Sequence, residues 1–213
     1  MATTVTLTTL SDWLKRFQAE VSAQQEYLTE LDSAIGDADH GANMVRGMTA
    51  VVEKVLPEPA ETVGELLKKV GMMLVTSVGG ASGPLYGTFF LRMAVSCGPA
   101  TELDTAALGA ALRAGVEGIV QRGKPELGDK TMYDALHPAL SAYDVAAEEG
   151  KSLAEAVAAA AAAGATGRDA TVDLVARKGR ASYLGERSVG HIDPGSASAV
   201  LLLDSLAQAV AAS

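Results

Sequence analysis

Apolar residues recur at helical spacing along most of the chain. The first such stretch covers residues 10–31, and its apolar positions are Leu10, Trp13, Leu14, Phe17, Val21 and Leu28. This spacing is typical of an amphipathic helix that buries one face. Further helices are predicted over residues 41–56, 62–77, 85–96, 105–122, 131–148, 152–164, 167–176 and 196–212. Because the alternation typical of strands is nearly absent, the pattern predicts an all-α fold.

Glycine-rich segments separate the predicted helices in three places. These are residues 79–87 (GGASGPLYG), 123–129 (GKPELGD) and 179–195 (GRASYLGERSVGHIDPG). The last segment is long, and long loops in compact domains are often functional. We therefore expect residues 179–195 to form a lid over a site. Since neither a fixed-period repeat nor a linker divides the sequence, a single domain over residues 1–213 is predicted.

Length and composition indicate a cytoplasmic globular protein. With 213 residues, 48% of them hydrophobic, the chain can bury a sizeable core. Its one cysteine, Cys97, lies in an apolar run and is predicted to be a buried structural thiol, consistent with a reducing compartment. The N-terminus lacks a basic start followed by an apolar stretch, and no run of about eighteen apolar residues occurs. We therefore expect no membrane association.

The net charge argues against one class of partner. The formal charge of the chain is −9 at pH 7. A general nucleic-acid binder needs a stripe of basic residues that displaces the counterions of the phosphate groups. The sequence contains no such stripe, so we expect no nucleic-acid partner.

The most informative chemistry lies in residues 31–44, LDSAIGDADHGANM, which hold three carboxylates, Asp32, Asp37 and Asp39. Asp37 and Asp39 leave an extended backbone on the same side, and Asp32 joins them only if the chain reverses. Gly36 and Gly41 are expected to allow this reversal, because glycine adopts a positive φ without a Cβ clash. Carboxylates this close repel one another unless a cation sits between them. Mg²⁺ prefers oxygen ligands and completes its shell with waters and substrate phosphates. The cluster therefore predicts a magnesium site.

Other interpretations of the acidic cluster fit less well. A calcium EF-hand would need an acidic residue at the position of Gly41 and a glutamate at that of Met48. A zinc site would need more nitrogen or sulfur donors than His40 supplies. A solvated loop whose aspartates cap a helix stays open as the structural alternative.

The glycine-rich segment 79–87 leads into a predicted helix. A loop of small residues before a helix presents free backbone N–H groups to an anion. The segment lacks the Gly-Lys-Ser/Thr of a Walker loop, and no GxGxxG follows a predicted strand. A tight turn between two helices explains the same residues equally well.

Two later segments contain polar residues of less specific meaning. Asp129 is predicted to cap the helix of residues 131–148. His137 within that helix is predicted to be a structural or surface histidine and not a ligand. His191 lies beside Asp193 at the start of the last predicted helix. For His191, a structural role and a place near a ligand stay equally open.

Taken together, four segments resemble the ADP-binding L subunits of bacterial dihydroxyacetone kinases that depend on the phosphotransferase system. In chain order they read LDSAIGDADHG, GGASGPLYG, GDKTMYDAL and GRASYLGERSVGHIDPG, and the resemblance covers essentially the whole chain. It implies an all-α, single-domain barrel of eight antiparallel helices, with nucleotide held at one end by the connecting loops. Two positions depart from the family pattern: Ala38 stands where glycine is frequent, and Ile192 where a polar residue is frequent.

The resemblance also implies a set of site residues. Two Mg²⁺ ions that bridge the phosphates of ADP or ATP would be bound by Asp32, Asp37 and Asp39. The nucleotide would be contacted by His40, Gly41, Ala42, Asn43, Ala81, Ser82, Gly123, Met132, Arg180, Asp193, Pro194 and Gly195. In this scheme no residue of the chain forms a covalent intermediate.

The function implied by the resemblance is phosphoryl transfer. Bound ADP would receive a phosphoryl group from a phosphohistidine of a phosphotransferase-system protein. The resulting ATP would pass it to dihydroxyacetone held on a separate K subunit, giving dihydroxyacetone phosphate. Two alternatives stay open: a same-fold kinase subunit for another short-chain ketose, and a non-enzymatic module that senses ADP for a regulator.

Overall fold

The structure, a computed structural model, describes residues 3–213. Within these residues the chain folds into nine α-helices: α1 (Leu7–Ala23), α2 (Gln25–Ile35), α3 (His40–Ala50), α4 (Val63–Ser77), α5 (Ser82–Cys97), α6 (Thr105–Gly123), α7 (Met132–Glu148), α8 (Leu153–Ala170) and α9 (Pro194–Ala211). Two short strands, β1 (Val5–Thr6) and β2 (Glu102–Leu103), pair antiparallel. The predicted all-α fold class is confirmed. None of these nine helices combines the length and the apolar character needed to cross a bilayer.

Eight helices of the described chain form a closed ring of neighbours. α1 packs against α3, the order then follows the chain to α9, and α9 packs against α1 again. Neighbours run antiparallel, as α4 and α5 show. Gly64 near the start of α4 faces Gly98 just after α5, and Gly87 near the start of α5 faces Val75 near the end of α4. The eight-helix barrel is therefore present, and α2 is an additional helix that lies against α3 and α9.

The first predicted helix, residues 10–31, is two helices. The chain bends at Gln24, between α1 and α2, where φ is −105° and ψ is 18°. The buried apolar positions of α1 end at Val21. Between Val21 and Leu28 no side chain is buried, and most helical stability in proteins comes from the packing of an apolar face. The prediction of one helix was wrong, and α2 continues to Ile35, so that Asp32 lies inside a helix.

The two helices predicted over residues 152–164 and 167–176 are one helix, α8, followed by a single 3₁₀ turn, Thr171–Asp173. Gly167 lies inside α8 and allows it to approach α7. A Cβ at Gly167 would lie 2.2 Å from the carbonyl oxygen of Asp134. The prediction of a break was wrong, because this glycine marks close helix packing.

Two other segments depart from regular α-helix. The helix predicted over residues 41–56 is α3 followed by a π-helical turn, Val51–Val55. The predicted loop of residues 179–195 contains a 3₁₀ segment, Arg180–Ser188. This segment belongs to the connection between α8 and α9. We call residues 174–191 of that connection the lid.

A continuous cluster of buried apolar side chains fills the ring. Its largest members are Trp13, Phe17, Tyr86, Phe89, Phe90 and Tyr143. The indole N–H of Trp13 donates to the carbonyl oxygen of Leu202 at 2.8 Å, which joins α1 to α9. Cys97 belongs to the same cluster, and burial raises the pKa of its thiol to about 11. The prediction of a buried structural thiol agrees with this position.

Three non-glycine residues between positions 3 and 213 have a left-handed backbone: Ala38 (φ 63°), Lys124 (φ 47°) and Lys130 (φ 61°). This conformation places Cβ too close to the following carbonyl oxygen and costs an L-residue about 1–2 kcal/mol. Ala38 lies in the connection between α2 and α3, residues 36–39. The loop therefore carries strain that a glycine would not.

Replacing Ala38 by glycine should stabilise the protein. Glycine adopts a positive φ freely, although it loses about 0.5–1 kcal/mol more conformational entropy on folding. We expect the free energy of unfolding, measured by urea denaturation, to rise by up to about 1 kcal/mol. The same replacement at Ala162, an exposed position of α8, should lower it by about 1 kcal/mol. A destabilised Ala38→Gly variant would contradict the strain assigned to this loop.

Replacing Gly71 by alanine should push α4 and α5 apart. A Cβ at Gly71 would lie 2.7 Å from Leu91 Cγ and 2.8 Å from the carbonyl oxygen of Gly87. We expect Gly71→Ala to lower the free energy of unfolding by about 1–3 kcal/mol, although alanine favours helix more than glycine does. Thermal denaturation measures the change. Ser96→Ala, at an exposed position of α5, is the control and should stay within about 0.5 kcal/mol of the starting protein. A more stable Gly71→Ala variant would refute the close approach.

Candidate functional site

Four helices begin around a cavity of about 530 Å³. The first residues of α3, α5, α7 and α9 lie at or next to its wall, and those that line it include His40, Ser82, Met132 and Pro194. Alternate helices of an antiparallel ring begin at the same end. The free N–H groups in the first turn of a helix carry partial positive charge and favour anions. The cavity is therefore suited to an anionic ligand.

The three predicted metal ligands converge at this cavity. Asp32 in α2 and Asp37 and Asp39 in the following connection each place one carboxylate oxygen within 4.8 Å of the other two. Asp32 is buried, whereas Asp37 and Asp39 are exposed. Carboxylates at such distances repel one another, and a divalent cation relieves the repulsion. Because all three donors are oxygens, the residues present fit Mg²⁺ and fit zinc poorly.

Asp32 also shapes the loop that follows it. Its Oδ2 accepts hydrogen bonds from the backbone N–H groups of Asp39 at 2.9 Å and His40 at 3.1 Å. A Cβ at Gly36 would lie 2.0 Å from Asp32 Oδ1, so the close approach requires glycine. The chain reverses here as expected, but the positive φ lies at Ala38, whereas Gly36 has a φ of −137°. The positive φ expected at Gly36 or Gly41 is therefore found at Ala38.

The lid brings a cation to the acidic cluster. Arg180 Nε lies 2.9 Å from Asp37 Oδ2. The Arg180 side chain is 69% exposed and that of Asp37 36% exposed, so water screens their attraction. Exposed ion pairs of this kind contribute about 0–1 kcal/mol. Another cation can therefore replace Arg180 at Asp37 at small cost.

The side chain of His40 is held inside the protein by hydroxyl groups. Its Nε2 lies 2.9 Å from Ser198 Oγ and its Nδ1 lies 3.2 Å from Ser82 Oγ. The hydroxyl of Tyr86 lies 2.8 Å from the same Ser198 Oγ. Burial lowers the pKa of His40, against the nearby carboxylates, so the ring is neutral near pH 7. With both ring nitrogens engaged, His40 serves to join α3, α5 and α9.

Asn43 and the glycine-rich turn before α5 lie side by side in the cavity wall. A Cβ at Gly79 would lie 2.6 Å from Asn43 Oδ1, so the turn needs glycine to pass the amide. Arg46 Nη2 donates to that Oδ1 at 2.7 Å, and Arg46 Nε donates to the carbonyl oxygen of Ser77 at 2.9 Å. Arg46 thereby orients Asn43, a role that the sequence analysis missed.

Another part of the wall is apolar. Leu85, Ile119, Pro125 and Met132 line the cavity together with Gly123. A Cβ at Gly123 would lie 3.5 Å from Leu85 and 3.6 Å from Pro125. The cavity therefore offers apolar surface as well as carboxylates and helix N-termini. This combination suits a ligand with a flat apolar part and a charged part.

Most of the predicted site residues line the cavity, namely Asp32, Asp37, Asp39, His40, Asn43, Ala81, Ser82, Gly123, Met132, Arg180, Asp193, Pro194 and Gly195. Gly41 and Ala42 lie beside the wall and not in it. Gly41 packs against α2, where a Cβ would lie 2.2 Å from the carbonyl oxygen of Gln25. Ala42 is exposed to solvent.

Asp129 does not cap α7, and that prediction was wrong. The N-cap is Thr131, whose hydroxyl accepts from the N–H of Tyr133 and whose own N–H donates to Asp134. Asp129 instead accepts from the N–H of Glu126 at 2.8 Å. A capping box with threonine first and aspartate three residues later was the overlooked signal.

The two later histidines lie outside the cavity wall. His137 packs edge-on against Tyr133, with ring centroids 5.4 Å apart, which agrees with the predicted structural role. His191 has an exposed side chain, and its carbonyl oxygen accepts a hydrogen bond from Lys130 Nζ. The structure therefore fixes the backbone of His191 and leaves its imidazole in solvent.

Several cations that were not predicted as site residues line the cavity wall, namely Arg122, Lys130 and Lys178. Lys130 is buried, and burial lowers the pKa of its ammonium. It belongs to the segment GDKTMYDAL, but a lysine before a helix carries no local sign of burial. Its partners are 41 to 61 residues away in the chain, so no spacing within the segment could reveal them.

Asp193 is the N-cap of α9. Its Oδ2 accepts from the N–H of Ser196 at 2.6 Å. Burial raises the pKa of its carboxyl group from 3.8 to about 7. The folded protein therefore keeps this proton at pH values at which the unfolded chain has released it. The contribution of Asp193 to stability is greatest below about pH 4 and is lost as the pH rises towards 7.

Replacing Asp193 by asparagine should remove this pH dependence, because asparagine caps a helix equally well and does not ionise. We expect the stability of Asp193→Asn, relative to the starting protein, to increase between pH 4 and pH 7 in urea denaturation. Asp104→Asn, the same change at the exposed N-cap of α6, is the control. A constant difference between the Asp193→Asn variant and the starting protein over this range would contradict the raised pKa.

Comparison with known proteins places the chain among kinase subunits over nearly its full length. It is 45% identical over 202 residues to the PEP-dependent dihydroxyacetone kinase, ADP-binding subunit DhaL, of Escherichia coli (strain K12), covering 95% of this chain and 96% of that protein. It is 42% identical over 207 residues to the PTS-dependent dihydroxyacetone kinase, ADP-binding subunit DhaL, of Lactococcus lactis subsp. lactis (strain IL1403), covering 97% of this chain and 100% of that protein.

A solved structure and a family model agree on the fold. The crystal structure of the dihydroxyacetone kinase from C. freundii in complex with AMP-PNP and Mg²⁺ superposes with a TM-score of 0.71 and 22% identity, over 93% of this chain and 33% of that one. The model of the DAK2 domain matches residues 34–208. The match extends from the end of α2 into α9 and includes nearly all of the cavity. The chain belongs to the DAK2 domain family.

Proposed function

We propose that this chain is the nucleotide-binding subunit of a dihydroxyacetone kinase and that it holds ADP through Mg²⁺. The observation that carries the proposal is the convergence of Asp32, Asp37 and Asp39 within 4.8 Å, beside a cavity at which four helices begin. The names of the two full-length relatives, both ADP-binding subunits of dihydroxyacetone kinases, support the choice of nucleotide and reaction.

The wall of the cavity suggests how the nucleotide is oriented. In the proposal the phosphates lie against the helix starts, where backbone N–H groups are free, and the adenine ring lies against the apolar residues. The phosphate side of the wall comprises His40, Asn43, Ala81, Ser82, Asp193, Pro194 and Gly195. Gly41 and Ala42, in the first turn of α3, lie beside it. The apolar side includes Gly123 and Met132, between Leu85 and Pro125. Arg180 leaves Asp37 and pairs with the ligand from the lid.

Magnesium would be held by the three aspartates and would neutralise the charge of the phosphates. We propose two ions, because three carboxylates and a diphosphate need roughly four positive charges. Phosphoryl transfer passes through a loose transition state, so positioning and charge neutralisation supply most of the catalysis. The side chain of His40 keeps its hydroxyl partners and takes no covalent part.

The acceptor and the donor would come from other chains. In the proposal ADP stays bound, a phosphohistidine of a phosphotransferase-system protein phosphorylates it, and the ATP formed transfers the group to dihydroxyacetone on a separate K subunit. The full-length match to proteins named as single subunits supports this arrangement. The reaction would take place in the cytoplasm.

Removing one aspartate tests the metal assignment. We expect Asp39→Asn to weaken Mg²⁺-dependent ADP binding by at least about 100-fold. A ligating carboxylate oxygen lies about 2 Å from Mg²⁺, and the attraction between opposite charges is worth several kcal/mol even at about 4 Å near a protein surface. Isothermal titration calorimetry with and without Mg²⁺ measures the effect. Glu30→Gln, an exposed carboxylate of α2 outside the cavity wall, changes the net charge equally and should bind as the starting protein does. Retained Mg²⁺-dependent binding in Asp39→Asn would refute the site.

A reconstituted transfer assay tests the reaction. The chain is mixed with a phosphorylated phosphotransferase-system donor and a dihydroxyacetone-binding K subunit, and formation of dihydroxyacetone phosphate is followed. Transfer only with a K subunit for another ketose would favour the alternative kinase. ADP binding without any phosphoryl exchange would favour the regulatory module and contradict the proposed reaction.

A further inference from the structure

A buried lysine joins the two ends of the lid. Lys130 lies two residues before α7, and only 1% of it is exposed. Its Nζ donates to the carbonyl oxygens of Thr171 at 2.7 Å, Leu174 at 3.1 Å and His191 at 2.5 Å. An ammonium group has three N–H donors, so all of them are used on backbone carbonyls. Thr171 and Leu174 lie where the lid begins, and His191 lies where it ends.

Two backbone hydrogen bonds at the base of the lid are weaker than those of Lys130. The N–H of Gly190 donates to the carbonyl oxygen of Val172 at 2.8 Å, which joins the two ends of the lid to each other. The N–H of Arg177 donates to the carbonyl oxygen of Asp129 at 3.0 Å, which joins the lid to the segment before α7. Both are bonds between neutral groups, and charge-assisted bonds are roughly twice as strong. Lys130 is therefore the principal link between the lid and α7.

The backbone of Lys130 supports a role for its side chain. Its φ of 61° is rare for a residue with a Cβ. Glycine would adopt this conformation without strain, so the turn itself does not explain a lysine. Residues held in such conformations cluster at functional sites, where the surroundings over-determine them.

The charge of Lys130 favours one position of the lid over all others. A buried ammonium costs free energy unless hydrogen bonds and nearby charges compensate it. The three carbonyl oxygens supply the bonds, and the carboxylate of Asp173, together with that of Asp193 once it has lost its proton, lies near enough to favour the charged form. If the lid moved away from α7, the ammonium would lose those carbonyls. The lid is therefore held in one place.

We propose that Lys130 is a positioning residue of the nucleotide site, which fixes the base of the lid on α7 and thereby fixes where Arg180 and Asp193 meet the cavity. The nucleotide part of this inference rests on the proposed function, whereas the effect on the lid does not. Lys130 differs from the lysine of a Walker loop, because its three donors face backbone carbonyls and leave none for phosphate.

Hydrogen exchange of the full chain without nucleotide tests the effect on the lid. In Lys130→Met, which keeps the side-chain length and removes the donors, we expect the amides of residues 176–190 to exchange at least tenfold faster. The amides of α4 and α5 should keep their rates. Lys124→Met is the matched control, since Lys124 is an exposed lysine with a left-handed backbone in the same connection. Unchanged amide exchange in the lid, or equally faster exchange in every helix, would overturn the inference.

Lys130→Arg keeps the experiment decisive if Lys130→Met does not fold. Arginine retains the charge, but its planar guanidinium presents donors in a fixed fork that does not match three carbonyls around one nitrogen. We expect faster exchange confined to the lid, smaller than in Lys130→Met. Exchange in Lys130→Arg equal to that of the starting protein, or faster everywhere, would overturn the inference.

The dissociation rate of ADP in the presence of Mg²⁺ tests the effect on the site. We expect Lys130→Met to release ADP at least tenfold faster and Lys124→Met to stay within twofold of the starting protein. A loosened lid with unchanged ADP release would overturn the positioning role. If the starting protein binds no ADP with Mg²⁺, the proposed function fails, and the exchange result alone then decides whether Lys130 fixes the lid.

Discussion

Repulsion among three carboxylates is the constraint on which the arrangement of this site depends. Asp32, Asp37 and Asp39 stand within 4.8 Å of one another because the protein holds them there. Asp32 is fixed by the backbone N–H groups of Asp39 and His40, and its helix, α2, lies outside the eight-helix ring. Arg180, a residue of the lid, pairs with Asp37 and so relieves part of this repulsion. The fold thus maintains an unfavourable charge cluster that a bound cation would make favourable.

The sequence predicts the helices well where one face of each helix meets the core, because burial then follows the 3.6-residue period. Prediction from the sequence fails where one residue type fits two structural roles. Gly167 looks like a helix break but allows α8 to approach α7, and the difference depends on Asp134, which is distant in the chain. The bend at Gln24 is missed because the apolar period continues across it. The ring order depends on contacts between distant helices, which no local pattern contains.

The candidate site divides in the same way. The aspartates could be recognised because they lie within eight residues of one another. Arg46 and Lys130 could not, because a single basic residue gives no sign of its partners. Arg46 reaches Ser77, 31 residues away, and Lys130 reaches the lid. Residues that bind a ligand were therefore easier to predict than residues that hold other residues in place.

In the antiparallel ring, the residues that line the cavity and the residues that serve only the stability of the barrel lie at opposite ends. The cavity lies at the end where α3, α5, α7 and α9 begin. The connections at the opposite end, residues 56–62, 98–104 and 149–152, contribute nothing to its wall in the part of the chain that the structure describes. Substitutions in those connections affect ligand binding only through the stability of the barrel. One end of the molecule is therefore constrained only by the stability of the barrel, whereas the other is also constrained by chemistry.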